Sequence, residues 1–148
     1  MTVVFREATR DDIPAVVELL REDVLGNKRE LASIETYLTA FDAMMAMPGN
    51  RLIVGDNGQV VACYQLTIIP GVSLGASTRA QIEGIRVSDD LRGQGVGAAL
   101  MADAEMRAKN AGASLIQLTT NKTRTDAHRF YDRAGYVASH TGYKKPLA

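Results

Sequence analysis

Three glycines within five positions, set between a strand and a helix, constrain this chain more than any other stretch. Residues 82–87 are short, rich in Ile and Val and bounded by turn residues, which predicts a strand. Ser88-Asp89-Asp90 follows as a polar turn, and then Arg92-Gly93-Gln94-Gly95-Val96-Gly97. Behind the glycines Val96, Leu100, Ala104 and Ala108 recur at four-residue spacing, extended by Met101 and Ala111. A helix is therefore expected there, stopped by Asn110 and Gly112. Glycines remove the Cβ atoms that keep a ligand off the backbone, and they permit positive φ, so successive N–H groups can turn toward one point. The first-turn amides of a helix lack internal partners, and the helix dipole favours negative charge beside them. Arg92 adds a cation at the rim. The pattern predicts a phosphate-binding loop; a tight turn packed by glycines is the plainer alternative.

The loop is not of the Walker type, because no Gly-Lys-Ser/Thr follows the first glycine at the required spacing. Gly93, Gly95 and Ala98 satisfy the dinucleotide pattern, yet the next strand ends at Leu118-Thr119-Thr120 without an acid to hold a ribose. The spacing Arg92-x-x-Gly95-x-Gly97 after Ile85-Arg86-Val87 instead resembles the acyl-CoA loop of the GCN5-related N-acetyltransferases. Two further stretches are similar to that family. Residues 127–136 carry Phe130-Tyr131 and Gly135-Tyr136, like its F-Y-x-x-x-G-F/Y signature, and Gln81-Ile82-Glu83 resembles its strand with a catalytic carboxylate. The resemblance is good over residues 79–143 and holds in outline before them.

The resemblance implies an α/β, mixed-sheet fold: a mostly antiparallel twisted sheet, splayed at the cofactor strand, with about four helices. It implies acetyl-CoA as acyl donor. The amides of Arg92, Gly93, Gln94, Gly95, Val96, Gly97 and Ala98 would hold the CoA pyrophosphate, and Ile85, Arg86 and Val87 would pair with the pantetheine arm. It also implies an amide near Val87, freed by strand splaying, to stabilise the thioester carbonyl oxygen.

At 148 residues the chain fits one domain, 1–148, able to bury a core without metals or disulfides. Lys plus Arg equals Asp plus Glu, 17 of each, so no global basic field draws nucleic acid. The lone Cys63 cannot form an internal disulfide and reads as a core residue. The N-terminus lacks the pattern of a signal peptide, and no apolar run approaches a membrane span. A soluble, cytoplasmic protein is expected, and a homodimer is left open. His128 and His140 lack the neighbours of a metal site, so no metal is expected. His128 reads as a helix-surface residue, while His140 reads as part of a final strand that could reach the acceptor site.

The first strand is expected at residues 3–8, followed by a helix with Thr9 as N-cap and Ile13, Val16, Val17, Leu19 and Leu20 on its apolar face. A second helix is expected over 33–47, with Tyr37, Leu38, Phe41, Met44 and Met45 inward. The linker at 26–30 is either a wall of the acceptor site, as in the family, or a solvated connection. Strands are expected at 51–55 and 59–69 around the Asn57-Gly58 hairpin, at 78–87, at 115–120 and at 136–144, with a loop at 70–77 and a short helix at 126–134.

Acyl transfer to an amine makes three demands. The amine must lose a proton, since a free amine near pKa ~10 is mostly charged at neutral pH. The carbonyl oxygen needs stabilisation, and the departing thiolate needs a proton. Glu83 is the candidate base, directly or through water. Plain alternation puts it on one face with Ile85 and Val87, and apolar neighbours raise a carboxylate's pKa toward a useful value. The alternative is an exposed glutamate or an ion pair with Arg79 or Arg86. Tyr131 is the candidate acid, placed at the sulfur by the resemblance; the alternative is a core aromatic. Asn121 either reaches the pantetheine or sets a turn. Lys122, Arg124, Arg129 and Arg133 either attract the CoA 3′-phosphate or form a solvated helix face.

Thr119-Thr120-Asn121, Asp126-Ala127-His128-Arg129-Phe130-Tyr131 and Ser139-His140 are similar to the aminoalkylphosphonate N-acetyltransferases within that family. The first half offers no matching acceptor-binding histidine or arginine, so the acceptor stays open. A small primary amine is the default, a protein or peptide amine the alternative. A non-catalytic acyl-CoA-binding regulatory module is the rival from another class, and an NAD-binding domain the remote third.

Overall fold

The computed structural model describes residues 2–22 and 29–148. The chain divides into two compact units, Met1–Gln117 and Leu118–Ala148. The first holds strands β1 (Val4–Glu7), β2 (Asn50–Asp56), β3 (Val60–Ile69), β4 (Arg79–Val87) and β5 (Leu115–Gln117). It also holds helices α1 (Ile13–Arg21), α2 (Ile34–Met45) and α3 (Val96–Asn110); α4 (Thr125–Arg133) lies in the second unit. The strands form one sheet in sequence order, antiparallel from β1 to β4, with β4 and β5 parallel. A parallel pair needs a crossover, and α3 provides it. The mixed sheet and four long helices among the described residues agree with the expected fold class.

Helices cover both faces of the sheet. On one, Ile13, Val16, Val17 and Leu19 of α1 and Phe41 of α2 pack with Val54 and Cys63. On the other, Leu100, Met101, Ala104 and Ala108 of α3 are buried, as the four-residue spacing requires. A polar latch fixes α3 there. The Tyr64 hydroxyl donates to Asp103 at 2.5 Å, and Arg107 Nε donates to the same carboxylate at 2.8 Å while its Nη2 donates to Phe5 O at 3.1 Å. Burial first, and then the bond to Asp103, pushes the Tyr64 hydroxyl's pKa up, so it stays a donor. Helix α3 ends as Gly112 predicts: Gly112 N donates to Lys109 O and Ala113 N to Ala108 O, both at 3.0 Å.

Strand β4 departs from plain alternation. Its register with β3 pairs Gln65 with Glu83 and Cys63 with Arg86, so Tyr64 faces both Gly84 and Ile85. This is a β-bulge with one extra residue on β4. Gly84 adopts φ +59, a conformation that costs residues with a Cβ. Its carbonyl accepts the Cys63 S–H at 3.5 Å. The extra residue changes the faces. Glu83 and Arg86 share the α1/α2 face with Cys63, while Ile82 and Val87 share the α3 face with Leu66 and Ala62. The expected common face for Glu83, Ile85 and Val87 is thus corrected, because the bulge absorbs one step of the pleat.

Other expectations need smaller corrections. Strand β5 stops at Gln117 rather than 120, and no strand occupies 136–144. There the backbone closes local turns, with Tyr136 N on Tyr131 O and Ser139 N on Val137 O, instead of a ladder. A strand needs a partner edge, which β propensity alone does not supply. Met45, expected inward, is 41% exposed at the end of α2. The 70–77 loop contains a short left-handed turn through Leu74, Gly75 and Ala76. In the 26–30 linker, Gly26, Asn27 and Lys28 lie outside the described residues. Glu30 accepts the Tyr37 hydroxyl at 3.1 Å, and its carbonyl accepts Arg21 Nε at 2.7 Å.

The entry to α1 is held by charge. Arg6 donates to both oxygens of Asp12, at 2.7 and 2.9 Å, and the Thr9 amide donates to the same carboxylate at 2.7 Å. The Arg6 bond, helped by Thr9 and opposed by desolvation, holds the Asp12 carboxyl below its ordinary range. A carboxyl depressed in the folded state stabilises above its unfolded pKa of about 3.9, and that stability is lost as pH falls through the folded value. Asp12→Asn should therefore cost about 1–2 kcal/mol at pH 7, with the gap to the parent closing toward pH 2. Urea titrations across that range check it; a gap independent of pH would contradict it.

Cys63 gives a second expectation. It is 1% exposed, and burial pushes its thiol up to about 12, with Arg86 acting weakly the other way. Burial therefore keeps the thiol protonated in the folded chain at pH 8. Labelling by a thiol reagent at pH 8 should await unfolding and should track the denaturant transition. Rapid labelling of the native protein would refute this burial.

Candidate active site

Strand β4 delivers the chain to the glycine loop beyond the end of its pairing with β5. Strand β5 pairs only with Arg79, Ala80 and Gln81, so residues 82–87 extend past the last β5 pair. That stretch holds Glu83, Ile85, Arg86 and Val87. Beyond the strand, Ser88 N donates to Val61 O at 2.8 Å, anchoring the loop to β3. Asp89 N donates to Glu22 Oε2 at 3.3 Å, anchoring it to the end of α1. A helical turn at Asp89–Leu91 leads to Arg92, whose Nε lies 2.9 Å from Asp89 Oδ1. Both side chains are exposed, and such a pair is worth at most about 1 kcal/mol, which a phosphate can outcompete.

The glycines do what the loop needs. Gly93 and Gly95 have φ +75 and +81, and a Cβ at either would meet nothing within 4 Å. Space lies open beside the backbone, so packing does not explain either glycine. Helix α3 starts at Val96 with Gly95 as its N-cap, and the first-turn amides of Val96, Gly97 and Ala98 are those a helix leaves without intrahelical partners. The residues fit a phosphate-bearing ligand. The Gln94 side chain donates back to Asp90 O at 3.2 Å, which braces the loop.

Glu83 is exposed, and its neighbours are polar rather than apolar. Gln81 Nε2 donates to Glu83 Oε1 at 3.1 Å, and its register partner across β3 is Gln65. On the same face Gln65 Nε2 and Thr67 Oγ1 reach Asn50 Oδ1 at 3.0 and 3.4 Å, and Gln117 Nε2 reaches Gln81 Oε1 at 3.0 Å. The reading of the residues overlooked this amide network. A signal was present for two of its members: Gln65 and Gln117 follow apolar runs in β3 and β5. The bulge also had a signal, a glycine inside a strand.

Within the second unit, α4 carries Tyr131 near its end. Its ring meets Phe130 edge-on at 5.3 Å between centroids and Tyr136 at 6.1 Å. The helix stops as its sequence dictates, with Gly135 N on Asp132 O at 3.1 Å and Tyr136 N on Tyr131 O at 3.0 Å. Asn121 sets a turn: its Oδ1 accepts Thr123 N at 2.9 Å and Thr123 Oγ1 at 2.7 Å. Its carbonyl lies 2.9 Å from His128 Nε2. His140 Nδ1 lies 2.6 Å from Ser139 Oγ, in a tail without regular secondary structure rather than in a strand. Among the described residues no cluster of three or more His, Cys, Asp or Glu side chains is placed to hold a metal ion, and no helix is long and apolar enough to cross a membrane.

Comparison with known proteins adds identity to this geometry. The chain is 36% identical over 143 residues to an aminoalkylphosphonate N-acetyltransferase of Salmonella typhimurium, covering 96% of this chain and 90% of that protein. A crystal structure of a transcriptional regulator from Bacillus halodurans superposes with a TM-score of 0.93 at 44% identity, covering 98% of this chain and 99% of that one. Glucosamine-6-phosphate N-acetyltransferase from Arabidopsis thaliana shares the fold at a TM-score of 0.81 and 15% identity, with both chains covered completely. The model of the Acetyltransferase (GNAT) family matches residues 13–136, most of the chain. With the strand, glycine loop and helix in that order, this match shows that the chain belongs to the Acetyltransferase (GNAT) family.

Proposed function

We propose that the chain moves the acetyl group of acetyl-CoA onto the primary amine of a small molecule, by direct attack within a ternary complex. The observation that carries this reading is the continuity of a β4 segment that runs past its β5 partner, a glycine loop with room at its backbone, and the N-terminal turn of α3. An extended pantetheine can pair along Ile85, Arg86 and Val87, and the pyrophosphate can meet the amides from Arg92 to Ala98. Both units belong to the reading as one acetyltransferase domain, since the family match crosses their boundary.

The chemistry follows. Glu83 takes a proton from the ammonium, directly or through a water, and the freed nitrogen lone pair attacks the thioester carbonyl carbon. The oxygen's developing charge meets a β4 amide near Val87. The C–N bond forms, the C–S bond breaks, Tyr131 gives its phenolic proton to the CoA sulfur, and the second proton leaves the new amide nitrogen for water, from which the phenol is restored. Asn121 has its side-chain oxygen spent on a turn, so any contact with pantetheine would come through its amide nitrogen. An aminoalkylphosphonate is the first acceptor to try, on the identity of the Salmonella relative. The regulator from Bacillus halodurans favours a second reading, acyl-CoA binding without turnover.

Thiol release from acetyl-CoA over aminoalkylphosphonates, polyamines, amino acids and short peptides tests both. Amine-dependent release should appear with the parent, and Glu83→Gln and Tyr131→Phe should each lower kcat by about tenfold to a thousandfold. Binding of acetyl-CoA without release under any amine would favour the second reading. Failure to bind acetyl-CoA would end both.

A further inference from the structure

Glu83 heads a chain of side-chain amides running toward the sheet edge. Gln81 Nε2 donates to Glu83 Oε1 at 3.1 Å, and Gln117 Nε2 donates to Gln81 Oε1 at 3.0 Å. The backbone fixes this spacing. Gln81 and Glu83 lie two residues apart on one face of β4, and Gln81 and Gln117 are register partners across β4 and β5. The direction of the chain follows from its end. A carboxylate acting as a base only accepts hydrogen bonds, so Gln81 must turn its NH2 toward Glu83. The Gln81 carbonyl then faces β5 and needs a donor, which Gln117 supplies.

Across the strand, the other amide near Glu83 is engaged elsewhere. Gln65 is the register partner of Glu83, but its Nε2 turns to Asn50 Oδ1 at 3.0 Å. Asn50 is 7% exposed and also takes the Thr67 hydroxyl, so it holds Gln65 from the inside. Gln81 is thus the amide oriented onto the carboxylate.

We infer that Gln81 and Gln117 are positioning residues for the base: they hold Glu83 Oε1 and leave Oε2 to face the amine or its water. The inference rests on the reading of Glu83 as base. Neither glutamine touches a reacting atom. The chain has a polarity, and the polarity makes it testable. Gln117→Glu keeps nearly the shape of the side chain but can only accept, so it pulls the Gln81 NH2 away from Glu83 and leaves carbonyl facing carboxylate. Gln117→Leu merely removes the donor. If the glutamines only pack, the nearly isosteric Glu is the milder change; if they orient Glu83, it is the harsher one.

The experiment measures kcat and KM for the amine-dependent release in Gln81→Leu, Gln117→Leu, Gln117→Glu, Glu83→Gln and the double variant Gln81→Leu/Glu83→Gln, with thermal melts beside them. Gln81→Leu should lower kcat about three- to tenfold with KM for acetyl-CoA unchanged, and Gln117→Glu should fall below Gln117→Leu. In the Glu83→Gln background Gln81→Leu should cause no further loss. Parental kcat in Gln117→Glu, the reverse ranking at position 117, or an undiminished Gln81→Leu effect in the double variant would overturn the inference. Parental kcat in Glu83→Gln would overturn the base itself and this role with it. Loss in Glu83→Gln alone would leave the base standing and remove only the positioning role.

Discussion

One extra residue in β4 organises the first unit. Without the bulge opposite Tyr64, alternation would put Glu83 on the same face as Val87, and the strand would meet the glycine loop one pleat out of step. With it, the α1/α2 face receives Glu83 and Arg86 and the α3 face receives Val87. Gly84 makes the bulge affordable, since its φ of +59 penalises residues with a side chain. Cys63 holds the geometry by giving its S–H to the Gly84 carbonyl. The buried thiol therefore has a structural use that accounts for it without any covalent role.

A loop that binds by backbone amides needs a helix that does not shift, and α3 is held by more than apolar packing. The Tyr64, Asp103 and Arg107 latch joins the middle of the helix to β3 and, through Phe5 O, to β1. Tyr64 is the residue across from the bulge, so one side chain contributes both to the step in β4 and to the seat of α3. Buried polar groups of this kind cost desolvation unless each is matched, and here the hydroxyl, carboxylate and guanidinium match one another. Strand and helix thereby meet at one central tyrosine.

The periodic parts of this architecture were legible in the residues. The spacing of Leu100, Ala104 and Ala108 defined the buried face of α3, Asn57-Gly58 marked the hairpin between β2 and β3, and the loop glycines pointed to positive φ. What could not be read depended on partners distant in sequence. The bulge is a mismatch of two strands, visible only once Cys63 is set against Arg86 and Gln65 against Glu83. The amide network needs β2, β3, β4 and β5 side by side. The supposed strand at 136–144 failed for the same reason, since its β propensity met no ladder. Glu83 shows the mixture: its place before the loop was plain, but its polar surroundings were not.

The aromatic signature in the second unit shows how one short motif can serve two ends at once. In Phe130-Tyr131-x-x-x-Gly135-Tyr136, Gly135 lets the chain leave α4, and the following residue's amide returns to Tyr131 O. The same closure brings the Tyr136 ring edge-on to Tyr131. A helix end of this kind commonly pairs the residue after its glycine with one in the last turn. The spacing from tyrosine to glycine to tyrosine is therefore already required by the end of the helix. For the proposed role of Tyr131 as acid the ring must be held, and the stop of the helix supplies that constraint, so Tyr131 and the ring packed against it are specified by one short run of sequence.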